Sequence, residues 1–94
     1  MRILITGCAG FIGFHVANHL LKRDNEIFGI DNINSYYDTK LKKNRIKILK
    51  NFKKFNFHKF DLINQDKLDA LVKKYKIKYI VHLAAQAGVR YSID

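Results

Sequence analysis

The chain has 94 residues, 48% of them hydrophobic, with 18 Lys and Arg against 8 Asp and Glu. This is enough for one small domain, no apolar run reaches membrane-spanning length, and a single cysteine excludes a disulfide scaffold and points to a reducing, cytoplasmic setting. The net charge of +10 raises nucleic-acid binding, but no recognition motif accompanies it; Lys42, Lys43, Arg45, Lys47, Lys50, Lys53 and Lys54 interleave with Leu41, Ile46, Ile48 and Leu49 as a solvated helix face would.

The first element is an apolar strand over 2–6, and it runs directly into Gly7, Gly10 and Gly13, three glycines spaced three apart. A chain that turns sharply from strand to helix against a pyrophosphate needs glycine where a Cβ would clash. A helix over 11–23 follows, with Ile12, Val16 and Leu20 on one face, and its free N–H groups and positive dipole end aim at the phosphates. Met1-Arg2 and the uncharged stretch to Val16 superficially resemble a secretory signal; the glycine spacing explains them better. Cys8 reads as a small filler, and Asn25 as the residue that takes the left-handed conformation at the helix end.

A second strand over 26–30 ends on Asp31, about 20 residues beyond the glycine loop, where a carboxylate accepts hydrogen bonds from the adenosine ribose. The alternative for Asp31 is a strand cap that opens a turn with Asn32. No Arg or Lys follows immediately, so a 2′-phosphate would meet a negative charge and NAD is favoured over NADP. Next come a helix over about 38–51, a strand over 56–60, a helix over 65–75 with Asn64 as N-cap and Asp66 in its first turn, and a strand over 78–83. Alternating strands and helices predict an α/β fold: the N-terminal half of a doubly wound parallel Rossmann sheet with helices on both faces, so that 1–94 form an NAD-binding Rossmann domain lacking its later strands. Tyr79–Leu83, apolar on both faces, reads as a central strand whose outer edge has no later partner, and His82 within it as a satisfied core histidine.

Three segments, ITGCAGFIGFHVANHLLKR, GIDNINSYYDTKLKKNRIKIL and VHLAAQAGVRYSI, resemble the extended short-chain dehydrogenase/reductase family of NAD-dependent epimerases and dehydratases, most closely its UDP-glucuronate 4-epimerase branch. The resemblance implies that Gly7, Gly10 and Gly13 form the phosphate loop, with the amides of Phe11 and Ile12 approaching the pyrophosphate. It further implies that Asp31 and Asn32 hold the ribose, Asp61 and Leu62 contact adenine, and Leu83, Ala84 and Ala85 line the cofactor. Arg90 would be an anion contact for a UDP-hexuronate substrate. Each has a plainer alternative: Asp61 as a strand terminator, the alanines as tight packing, Arg90 as a surface residue.

The activity implied by resemblance is interconversion of UDP-glucuronate and UDP-galacturonate: hydride passes from the sugar C4 to NAD+ and returns to the other face, with a tyrosine as base and a lysine four residues later. The chain's Tyr36 and Lys40 have that spacing but follow the second strand, beside the adenosine end, where they cannot reach a sugar. No catalytic residue and no metal site is therefore assigned within the chain, which alone is expected to be inactive; the complete protein is expected to be a homodimer without a membrane or specific nucleic-acid partner. Val at position 13 is expected to remove cofactor before it costs stability. The competing readings are another NAD-dependent nucleotide-sugar epimerase or dehydratase, a binding-only nucleotide module and, last, a basic nucleic-acid-binding protein.

Overall fold

A computed structural model describes residues 1–33 and 39–83. Strand β1 (Arg2–Thr6) leads through the glycine loop to helix α1 (Phe11–Lys22), followed by β2 (Glu26–Asp31), α2 (Thr39–Leu49), β3 (Phe55–Lys59), α3 (Gln65–Tyr75) and β4 (Tyr79–His82). The four strands form one parallel sheet in the order β3-β2-β1-β4. The chain thus winds outward from β1 through β2 to β3, then crosses back to place β4 on the other side of β1. That reversal opens a crevice beyond the carboxyl end of β1, where open α/β sheets hold their ligands.

Parallel strands buried on both faces explain the near-continuous apolar runs ILI and IFGI. Ile3, Ile5 and Ile27 face one layer with Ala17 and Leu21 of α1 and Ile46 and Leu49 of α2. Leu4, Phe28 and Ile30 face the opposite layer with Leu71 of α3 and Ile77. Alternation along a strand therefore feeds two cores. Each fully buried Leu, Ile or Phe contributes roughly 1.5–3 kcal/mol.

All seven elements predicted from sequence are present, two with the expected bounds and five with ends shifted by one or two residues. Asn64 caps α3 by accepting the Lys67 N–H at 3.2 Å, and Asp66 lies in the first turn, both as expected. Three expectations fail in instructive ways. The buried face of α1 is Gly13, Ala17 and Leu21, whereas Ile12 is 62% exposed and Val16 and Leu20 only flank the core. The helix lies so close to the loop and sheet that small residues, not the largest apolar ones, must face them. At the end of α1 it is Asp24, with φ of 68°, that turns left-handed; Asn25 instead donates its side-chain amide to the Leu20 carbonyl at 2.9 Å. His82 is exposed rather than in the core, with Nδ1 3.0 Å from the Thr6 hydroxyl.

Candidate cofactor site

The crevice is built from three strand ends and the glycine loop. Gly7 takes φ of 72°, a left-handed conformation that any Cβ would oppose, and its N–H donates to the Ile30 carbonyl at 2.8 Å. The Cys8 N–H reaches the same carbonyl at 3.3 Å, so the loop after β1 is stitched to the end of β2. Gly13 serves close approach: a Cβ there would stand 2.1 Å from the Gly7 carbonyl oxygen. This alters the expectation for Val at position 13, because the clash is with loop backbone and must disturb the fold as well as any ligand.

Helix α1 begins at the loop with Gly10 as N-cap, no side chain capping it and no acidic residue in its first turn. An unblocked N-terminus of this kind presents amides and the positive end of the helix dipole to an anion, and the pyrophosphate of a dinucleotide fits that chemistry. Phe11 and Ile12, whose amides are the predicted contacts, expose their side chains, leaving the first turn open. Cys8 is wholly buried beneath the loop, and burial, reinforced by the Asp31 charge, pushes its thiol far up, so it stays protonated and serves as packing. Its sulfur also explains Gly29 in β2, where a Cβ would lie 2.7 Å from Sγ.

Asp31 closes the back of the site. It is 5% exposed; Oδ2 accepts the Ala9 N–H at 3.0 Å, and Oδ1 accepts the Ile33 N–H at 2.8 Å and the Lys42 ammonium at 3.4 Å. Asn32, half-buried, follows it. Lys42 and Arg45, on α2, depart from the solvated face expected of them: Lys42 is buried, and Arg45 donates to the Ala9 carbonyl at 3.0 Å, its guanidinium 5.9 Å from the Phe11 ring centroid. A signal existed: Lys42 precedes Ile46 by four residues and Leu49 by seven, on the stripe that α2 buries. A lysine on a buried stripe requires a partner. Lys43, Lys47 and Lys50 do lie on the exposed face, and with Lys59 they rim an apolar groove floored by Ile33, Ile46 and Phe57.

Asp61 and Leu62 lie just beyond β3 at the same end of the sheet. Asp61 Oδ1 accepts the Ile63 N–H at 3.0 Å in a local turn, and Leu62 packs on the α3 side of the core. Leu83, after β4, donates its N–H to the Thr6 hydroxyl at 2.9 Å and is partly exposed. Ala84, Ala85 and Arg90, like Tyr36, lie outside the described residues; Lys40 is on the exposed side of α2. The structure thus gathers Gly7, Gly10, Phe11, Ile12, Gly13, Asp31, Asn32, Asp61, Leu62 and Leu83 at one end of the sheet. Among the described residues no helix is long and apolar enough to cross a membrane.

The family described as GDP-mannose 4,6-dehydratase matches residues 4–94. An uncharacterised protein of Methanocaldococcus jannaschii is 50% identical over 99% of this chain and 29% of its own length. The UDP-glucuronate 4-epimerase of Thermodesulfobacterium geofontis is 43% identical over 97% of the chain and 28% of its own. Among solved structures, the UDP-glucuronic acid 4-epimerase from Bacillus cereus, in complex with UDP-glucuronic acid and NAD, is 40% identical with a TM-score of 0.82, over 96% of this chain and 28% of that one. The chain spans under a third of the length of these relatives.

Proposed function

The chain belongs to the GDP-mannose 4,6-dehydratase family, and from that premise we propose that it forms the NAD-binding Rossmann portion, over residues 1–94, of a UDP-glucuronate 4-epimerase. The observation that carries the reading is Asp31: a buried carboxylate at the end of β2, hydrogen-bonded to the glycine loop, beside an uncapped helix N-terminus. Loop, helix end and carboxylate match the pyrophosphate and ribose of one dinucleotide in the order those groups are joined. The relatives named above support the choice of cofactor and of sugar.

In this reading the amides of Phe11 and Ile12 receive the pyrophosphate, and Gly13 lets α1 approach the loop closely enough to aim them. Asp31 and Asn32 receive the adenosine ribose, Asp61 and Leu62 the adenine, and Leu83 the surface of the bound cofactor. NAD, when bound, supplies reversible oxidation of a sugar carbon; the residues of this chain bind and orient it and hold water away from the buried side of the site. The acid–base group that acts on the sugar is assigned to no residue here. The protein is taken to work in the cytoplasm, as a homodimer, on a UDP-hexuronate.

The test is incubation of the native protein with UDP-glucuronate and NAD, followed by resolution of the UDP-sugars. UDP-galacturonate is the expected product. A second reading, a nucleotide-sugar dehydratase, is favoured by the family match itself, and a 4-keto-6-deoxy product from a neutral nucleotide hexose would establish it over the first. NAD binding without turnover of either sugar class would leave a binding-only module.

A further inference from the structure

No basic residue follows Asp31 immediately in the sequence, but the fold brings one to it from α2. The Lys42 ammonium stands 3.4 Å from Asp31 Oδ1, with the two side chains 10% and 3% exposed. A carboxylate has about four lone-pair positions, and Ala9, Ile33 and Lys42 occupy three, leaving about one on Oδ2 for a ribose hydroxyl. The cation beside that hydroxyl is therefore set by tertiary packing.

Resting on the assignment of the adenosine ribose to Asp31, we propose that Lys42 is a specificity-determining residue for the cofactor's 2′ position. Paired with Asp31, its charge is cancelled and the site accepts a neutral 2′-hydroxyl. With Asp31 neutralised, the same ammonium becomes the receptor for a 2′-phosphate. A lysine suits both states because it is a point charge with rotatable donors on a flexible stem. Arg45 does not play this part: its guanidinium is committed to the Ala9 carbonyl and the Phe11 ring, toward the loop. The discrimination is a balance between a carboxylate that repels phosphate and an ammonium that attracts it, both in a poorly solvated place where charges are weakly screened.

The experiment is titration of NAD and NADP into the native protein and its Asp31→Ser, Lys42→Met, Lys42→Arg and Asp31→Ser/Lys42→Met variants, at one fixed salt concentration. Asp31→Ser should shift the ratio of affinities toward NADP by about tenfold or more, as a phosphate gains a charge-assisted partner and loses a repelling one. Adding Lys42→Met should reduce that shift severalfold, to the part that loss of the Asp31 charge gives by itself, and Lys42→Arg alone should leave the wild-type ratio nearly intact. A double variant that keeps the full shift toward NADP overturns the proposal. If circular dichroism shows Asp31→Ser unfolded, Lys42→Met alone decides: the ratio should move further against NADP by severalfold, and an unchanged ratio overturns the role of Lys42. Wild-type protein that binds neither cofactor would instead refute the assignment of the dinucleotide site, a result distinct from either of these.

Discussion

Asp31 and Asp61 stand at the same end of the sheet, each at or just after a parallel strand, yet they are embedded differently. Asp31 joins the glycine loop, the residue two positions on and α2, and is 5% exposed. Asp61 is half-buried and accepts the Ile63 N–H in a turn of its own making. The contrast follows from strand order. β2 lies beside β1, so its end meets the loop and is roofed by α2, whereas β3 is the outermost strand on that side, and the side-chain hydrogen bond of Asp61 stays within the turn leading into α3. One carboxylate is thus part of the architecture of the site, and the other could serve a ligand while costing the fold little.

The largest effect should come from Gly13→Val, which drives side-chain atoms into the backbone of the loop that Asp31 anchors. Backbone clashes of this kind belong to the exceptional class of substitutions that cost more than about 4 kcal/mol. Chemical unfolding of the variant should reveal this loss alongside loss of NAD. Native stability with cofactor missing would show that the loop yields more readily than its geometry indicates.

Asp31→Ala should come next, at about 3–5 kcal/mol of stability, because it removes the buried carboxylate that pairs with Lys42 and accepts two backbone N–H groups. NAD affinity should fall by about 1–3 kcal/mol through lost charge-assisted hydrogen bonds. Urea unfolding and calorimetric titration read the two separately. Arg45→Ala, which removes one hydrogen bond to the Ala9 carbonyl from a half-buried side chain, should cost about 1–2 kcal/mol by the same unfolding measurement. Asp61→Ala should cost about 1 kcal/mol or less, the worth of one ordinary hydrogen bond. Equal destabilisation by Asp31→Ala and Asp61→Ala would break the comparison between the two carboxylates.

The smallest effect concerns His58 in β3, on the same strand edge. Burial, with a contribution from Lys74, holds its pKa below the ordinary value of 6.5. The unfolded chain therefore takes up the proton first, and the stability His58 allows at neutral pH declines as pH falls through 6.5 toward the folded-state value. His58→Gln should flatten the acid side of a melting-temperature profile between pH 7 and pH 5 by a small amount. A profile of unchanged slope would remove His58 from the pH response.

What the amino-acid sequence determined by itself is local or periodic. Gly7, Gly10 and Gly13 announced the loop because a left-handed turn and a close helix–backbone approach each exclude a Cβ. Runs of apolar residues of strand length, alternating with helix-length segments, announced parallel strands buried on both faces. Asn64 announced the start of α3 because a side-chain cap acts over three residues. The tertiary structure alone decided which groups meet across longer separations. Lys42 reaches Asp31 and Arg45 reaches Ala9 only because the sheet order sets α2 over the loop, and Gly13 with Ala17, rather than Ile12, faces inward because α1 packs too closely for a large side chain. The stripe shared with Ile46 and Leu49 marked Lys42 as buried but could not name its partner: a buried cation is tolerated only where packing delivers its counter-charge, and that position belongs to the assembled sheet and helix rather than to any segment of the chain.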